Sequence, residues 1–324
     1  MPENASVFNL TVIGAEGTAG QVAGMGTVIP AFGLTLNPEM TFQTIRPMGY
    51  KVPSEVAIGK NWASFSLDNG EGCYNSIVYP LSGVMGTATI TSGSVTSWVF
   101  TPSATAADTD KTFTIENGNS ARAIRATYGR FASFGYEVTR DKMSLTGGGF
   151  AKAITEGATL AGTTKTVAIQ PMVPGGFTVY ADPTSGALGT TKLQRLLSLK
   201  YDRGDKANPL WAVDSSQTSF VADVEVAPPI RVTIQIEHDA QAGTVYNQLL
   251  GGTRLFMRVK GTGDAIQGGT AYTFQHDLAL EASAAPSFDD SDGVRTMTYQ
   301  YDVVYDSTWG KLETVQIYNT QTGL

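Results

Sequence analysis

Apolar and polar residues alternate with a period of two through most of the second half of this chain. Along 231–237, Val232, Ile234 and Ile236 point one way, and Arg231, Thr233, Gln235 and Glu237 the other. Along 272–281, Tyr272, Phe274, His276, Leu278 and Leu280 oppose Thr273, Gln275, Asp277, Ala279 and Glu281. Successive side chains leave opposite faces of a strand, so the pattern predicts antiparallel strands with one buried face. Further strands are expected at 177–181, 196–201, 219–226, 253–260, 296–305 and 312–318, with a short helix at 244–250. In the first half, strands are expected at 32–36, 62–68, 86–91, 98–101, 111–116, 134–140 and 143–146. A short helix is expected at 73–79, stopped by Pro80.

Two stretches break the pattern. Residues 3–27 are rich in Gly, Ala and small polar residues and are expected to form an arm; 156–166 has the composition of a linker. The order strand, helix with Tyr-Asn, Gly, strand occurs twice, once on each side of that linker. Ser64–Leu67, Tyr74-Asn75 and Gly83 run parallel to Thr233–Ile236, Tyr246-Asn247 and Gly251. A repeated order of elements implies two copies of one β-domain. The expectation is an all-β chain of two tandem antiparallel β-barrel or sandwich domains, each with a short helix. An N-terminal arm spans 1–30, the first domain 31–165 and the second 166–324.

Composition agrees with turn-rich β-structure. The chain has 324 residues, of which 36 are Gly, and only 16% are charged. Its formal charge is −7, a poor match for gripping nucleic acid, since phosphate binding needs Lys and Arg. The single cysteine, Cys73, excludes an internal disulfide and a cysteine-based zinc site. The opening residues show no secretory signal, and no apolar run reaches the roughly 18 residues of a membrane span. Folding in a reducing cytoplasm, without membrane insertion, is expected.

Candidate chemistry was sought and set aside. His238 and His276 each precede an aspartate, but neighbours on a strand point to opposite faces, so neither pair forms a catalytic dyad. His276 shares the apolar face of Phe274 and Leu278 and is expected in the core. Nothing flanking Cys73 would activate its thiol. In 289–293 the calcium-loop spacing fails, because Phe288 and Tyr299 stand where carboxylates are required. The turn is expected to be acidic and solvated, with at most a weak cation contact. Gly147-Gly148-Gly149, Gly261-Thr262-Gly263 and Gly118-Asn119-Ser120-Ala121-Arg122 all miss their phosphate, dinucleotide and hydrolase patterns and are expected as turns or flexible loops. Arg122, Arg125 and Arg130 form the one basic cluster. Their expected use is ion pairing with a neighbouring subunit. No cofactor, metal or catalytic residue is assigned, and the chain is expected not to be an enzyme.

A series of segments carries a resemblance. They are Gln170-Pro171-Met172-Val173-Pro174-Gly175, Thr178-Val179-Tyr180, Leu188-Gly189-Thr190-Thr191-Lys192-Leu193 and Pro209-Leu210-Trp211. Gln217-Thr218-Ser219-Phe220, the acidic turn 289–293 and Asp306-Ser307-Thr308-Trp309-Gly310-Lys311 follow. In this order they resemble the tail tube proteins of long-tailed, non-contractile (siphovirus-type) bacteriophages. The likeness is densest from 170 to 319. From 31 to 150 it rests on the strand pattern and Gly147-Gly148-Gly149.

The resemblance implies a major tail tube subunit of the virion, made in the host bacterial cytoplasm. Its copies would form stacked rings, trimeric and pseudo-hexameric or hexameric, that conduct double-stranded DNA during ejection without binding it specifically. Strands from neighbouring subunits would form one wall around the lumen. Implied partners are the tape measure protein, the tail terminator and the distal tail protein. Candidates for an acidic, lumen-facing surface are Glu137, Glu237, Asp277, Glu281 and Asp302. Residues 1–24, 103–110 and 182–191, small and polar, are expected to order only when rings stack. Two rival readings are another tail or capsid component (a terminator or decoration protein) and a soluble carbohydrate-binding β-sandwich. The latter would gather tryptophans and carboxylates in one cleft.

Overall fold

The computed structural model describes residues 10–24, 26–68, 70–119, 122–158, 165–213, 219–291 and 293–324. Strands dominate. In the first half they are β1 (Leu10–Ala15), β2 (Thr27–Val28), β3 (Gly33–Ile45), β4 (Glu55–Asp68), β5 (Thr89–Thr91), β6 (Thr96–Phe100), β7 (Phe113–Gly118), β8 (Ala123–Val138), β9 (Met143–Lys152), β10 (Thr155–Ala158) and β11 (Lys165–Thr166). The second half holds β12 (Phe177–Asp182), β13 (Leu196–Arg203), β14 (Ala207–Leu210), β15 (Ala222–Glu225), β16 (Ile230–Glu237), β17 (Leu255–Gln267), β18 (Thr270–Ala282), β19 (Ser287–Ser291), β20 (Val294–Val303) and β21 (Glu313–Asn319). Two helices interrupt them, α1 (Val78–Val84) after β4 and α2 (Ala240–Leu250) after β16.

The alternating segments form strands with the faces expected of them. Val232, Ile234 and Ile236 on β16 are buried against Phe274, Leu278 and Leu280 of β18 and Met297, Tyr299 and Tyr301 of β20 in one continuous core. Helix α1 starts later than expected and contains Pro80. The ring sits in the first turn, where a missing N–H leaves no helical bond unmade. Residues 10–15 are not part of an arm: Val12 and Ile13 are buried, and β1 lies between β2 and β7. The stretch expected as a linker contributes β10, paired with β8, and β11, paired with β2; residues 159–164 lie outside the described set. Gly147, Gly148 and Gly149 are strand residues, not a flexible loop. A Cβ on Gly149 would collide with the Arg130 carbonyl, so β9 lies against β8 more closely than any side chain allows.

The pairings repeat. β3 pairs with β4, β4 with β9 and β9 with β8, all antiparallel. β13 pairs with β16, β16 with β20 and β20 with β19 in the same sense. Each series has its helix after the second strand. β8 also pairs with β13, Phe134 opposite Arg203 and Val138 opposite Leu199, which joins both series into one run. A second tie pairs β21 with β6, where Trp98 Nε1 donates to Asn319 Oδ1 at 3.0 Å. Among the described residues no set of pairings closes a barrel, and one apolar core draws on both halves, from Phe65 and Trp98 to Tyr299 and Val315. Two β-barrel or sandwich domains in tandem were expected; among the described residues no barrel closes, and the halves share edges and a core. Among the described residues, no helix is long and apolar enough to cross a membrane.

Candidate functional site

Strands β3-β4-β9-β8-β13-β16-β20-β19 form an eight-strand run, and through β8, β13, β16 and β20 it has one buried face and one polar face. Directly opposed residues share a face. One row across it holds Ser144, Glu137, Lys200, Thr233 and Gln300; another holds Gly135, Asp202, Arg231 and Asp302. Glu281 continues the second row from β18. Glu237 and Asp289 lie on either side of Thr296. Carboxylates therefore outnumber the cations Lys200 and Arg231 on this face. Glu137, Glu237, Glu281 and Asp302, expected as a group, do share it.

Their charges are partly answered. Arg195 donates to Glu237 at 2.7 Å, Arg254 to Glu281 at 2.5 Å, and Arg231 approaches Asp302 at 3.5 Å. Asp277 departs from the group. It is buried and bound in a fork by Arg258 at 2.7 and 2.8 Å, so it offers no charge to an exposed wall. The long arginine from the neighbouring β17 folds over it, which alternation along β18 alone does not reveal.

The expected use of the basic cluster also changes. Arg122 pairs with Glu156 at 2.8 Å on the surface, and Arg125 pairs with Glu116. Arg130 is buried between Asp110 and Asp223, the latter at 3.0 Å, and cannot reach a neighbouring subunit. All three have carboxylate partners inside the chain. Lys206 joins Arg130 there. Its Nζ donates to the Val84 carbonyl at 3.0 Å and to Asp108 at 2.6 Å, with Asp110 at 2.9 Å. Burial lowers the Lys206 ammonium on balance, although Asp108 and Glu225 oppose it. The clasp pins the segment before β14 onto the first half. Residues 103–110, expected as a loose loop, thus end in two buried anchors.

The loop 182–191 is likewise held. Asp182 accepts from the backbone N–H of Gly189 at 2.9 Å and Thr191 at 2.9 Å, and from the Thr190 hydroxyl at 2.7 Å. Burial raises its carboxyl, but these donors outweigh it and the net shift is downward.

The most exposed apolar surface belongs to the β3–β4 hairpin. Beyond the stretch of β4 that pairs with β9, its strands bond only to each other. Met40, Phe42, Ile45, Val56 and Ile58 are exposed there, as are Met48, Tyr50 and Val52 around the tip. Phe42 stands opposite Ile58, with Val56 on the same face. A two-stranded ribbon of this kind is marginal alone in water, and a contiguous apolar patch marks an interaction surface. The expected strands 32–36 and 62–68 stop short of it, although Met40 and Phe42 continue the alternation of Leu34 and Leu36.

Other expectations fall into place. His276 is a core residue. Its Nε2 lies 3.0 Å from Glu313, and its Nδ1 lies 3.0 Å from the Tyr136 hydroxyl. Tyr201 donates to the same carboxylate at 2.9 Å, and Arg203 binds its other oxygen. The group is sealed from solvent, so no substrate reaches it. Sequence placed His276 correctly but gave no sign of Glu313, which arrives from β21. Trp62 and Trp211, far apart in sequence, meet at 5.2 Å, edge to face. They pack on buried Phe220, and Lys60 covers the Trp211 ring at 4.8 Å, so they fasten the clasp and present no open sugar-binding face. In the acidic turn, Asp289 and Asp290 belong to β19, and Asp290 accepts from the Gly293 N–H at 2.9 Å. Asp292 lies outside the described residues.

A scan against protein-family models finds no match to this chain, and a search of curated proteins finds none either.

Proposed function

We propose that this chain is the tube-forming subunit of a siphovirus-type phage tail. Copies close into rings, rings stack, and double-stranded DNA passes through the bore. The observation that carries the reading is the eight-strand run: two like ladders, already joined edge to edge, that end in two open strand edges. Long open edges invite aggregation in a monomer, and addition of a neighbour's strand answers that hazard. A head-to-tail contact whose rotation closes gives a ring.

If the two ladders are tandem tail-tube domains, three chains supply a pseudo-hexameric ring; six chains are needed if only one half is such a domain. The polar, net acidic face of the run suits a wall that DNA leaves easily. The exposed β3–β4 hairpin is suited to bridging rings. By the same resemblance, the tape measure protein would fill the tube, with the terminator and distal tail proteins at its ends. Negative-stain microscopy of purified protein tests the reading. Rings or tubes are expected, with ring mass set by three chains. Uniform monomers at high concentration would overturn it.

A further inference from the structure

The junction between the two halves is a template for the junction between two copies. The equivalence follows from the pairings alone. Take Phe65 of β4 as the counterpart of Ile234 of β16, the buried strand residues of the repeated segment noted above. Phe65 pairs with Gly149 and Ile234 with Tyr299, so Gly147 corresponds to Met297. Gly147 pairs with Phe134 and Met297 with Phe288, which makes Phe134 and Phe288 counterparts. On the other side, Phe65 pairs with Leu36 and Ile234 with Leu199. Counting along both strands, Met40 corresponds to Arg203.

Inside the chain, Arg203 and Phe134 face each other across the β13–β8 junction, and both are buried, at 3% and 1% exposure. Their counterparts are the reverse. Met40 is 44% and Phe288 54% exposed. Among the described residues β3 pairs with β4 alone and β19 with β20 alone, so each has an outer edge without a strand. The same phenylalanine is covered where a partner strand is present and bare where one is missing.

We infer that β3 of one copy adds to β19 of the next, antiparallel, with Met40 opposite Phe288. This deepens the ring reading and rests on it. Asn37 then faces Ser291, and Thr41 faces Ser287. Pro38 takes the place of Tyr201 and, having no N–H, deprives the ladder of at most one donor. Glu39 faces Asp289, a like-charge contact that weakens the junction when salt is low. The apolar pair at Met40 and Phe288 replaces the Arg203–Phe134 contact, and Phe42 extends it along β3. Each chain thus carries one complete junction and two half-junctions, and the run becomes endless when the ring closes.

Directly opposite residues on antiparallel strands lie within disulfide reach. The test is the double variant Met40→Cys with Phe288→Cys, assembled and treated with a mild oxidant. Both positions are exposed, so neither substitution disturbs the monomer, and Cys73 is buried. Expected is a covalent ladder on non-reducing gels that ends at the ring stoichiometry. Single-cysteine variants should stay uncrosslinked, and the offset pair Met40→Cys with Asp290→Cys should give several-fold less product. Glu39→Gln should raise the yield at low salt. Rings or tubes by microscopy with no crosslink above the single-cysteine controls would overturn this pairing and leave the ring reading standing. Monomers with no crosslink would overturn both.

Discussion

Removing the Glu313 carboxylate leaves Arg203, Tyr201 and His276 buried without the group they all address. His276 bridges Tyr136 and Glu313 through its two ring nitrogens, so the cluster is satisfied only as a whole. Breaking a buried ion pair from one side costs about 3–5 kcal/mol, because the other charge stays buried. Glu313→Ala is expected to lose that much in denaturant unfolding, with Arg203→Ala similar and the double variant well short of their sum. The pH dependence has a definite sign. Burial raises the Glu313 carboxyl, but Arg203 and the His276 hydrogen bond outweigh it, and the net shift is downward. A lowered carboxyl stabilises the fold above its ordinary value, about 4.3, and that contribution fades as pH falls through the folded value. Glu313→Gln should therefore melt well below the parent protein at neutral pH, and the gap should narrow as pH drops below about 4. A gap that holds constant into strong acid would contradict the assignment.

At the scale of elements, the β3–β4 hairpin is the piece whose design makes sense only with a partner. Phe42→Ser and Ile58→Thr remove exposed apolar groups that touch no core. Monomer stability should change by no more than about 0.5 kcal/mol, as for other surface sites, while assembly measured by sedimentation should fall sharply. If both variants assemble like the parent, the hairpin is not an assembly element. The sequence made other elements plain and left this one hidden. β16 and β18 were legible because one face of each is buried, which writes a period of two into the residues. Met40 and Phe42 continue the alternation of Leu34 and Leu36, but Pro38 interrupts the series and no core covers residues 37–58, so the expected strands stop short of the hairpin. β19 was hidden for a different reason: Asp289 and Asp290 have low strand propensity, and only pairing with β20 makes that segment extended. Helix α1 was placed early because Pro80 was taken as a stop, whereas a first-turn proline is harmless. The polar face was half legible. Alternation put Glu237, Glu281 and Asp302 on polar sides correctly, but it could not show Arg258 folding over Asp277, nor Asp110 and Asp223 drawing Arg130 inward. Those depend on which strands and loops pack side by side, which alternation along a single strand does not contain.

At the scale of the whole molecule, the polar face sets how an assembled tube would treat DNA. Glu137, Asp202, Glu237 and Asp302 share it with Lys200 and Arg231, and the chain as a whole carries a charge of −7. Duplex DNA binds through counterion release, and the logarithm of affinity falls with that of salt by about 0.9 for each phosphate neutralised. A wall with excess carboxylate gives no such release, and passing DNA is not held. The triple variant Glu137→Lys, Glu237→Lys and Asp302→Lys reverses the balance without entering the core, since all three sit on the polar face. If that face lines the bore, the variant should still form tubes and should retain duplex DNA at low salt, with roughly tenfold tighter binding for each strong lysine–phosphate contact. Retention should vanish as ionic strength rises and the Debye length shrinks to about 8 Å. Asp277→Lys is the contrast. It would set a lysine against the half-buried Arg258, and its expected effect is loss of fold stability, not DNA retention. Tubes of the triple variant that bind DNA no better than the parent at any salt would place the polar face on the outside of the tube, and the acidic wall would have to be sought on other strands.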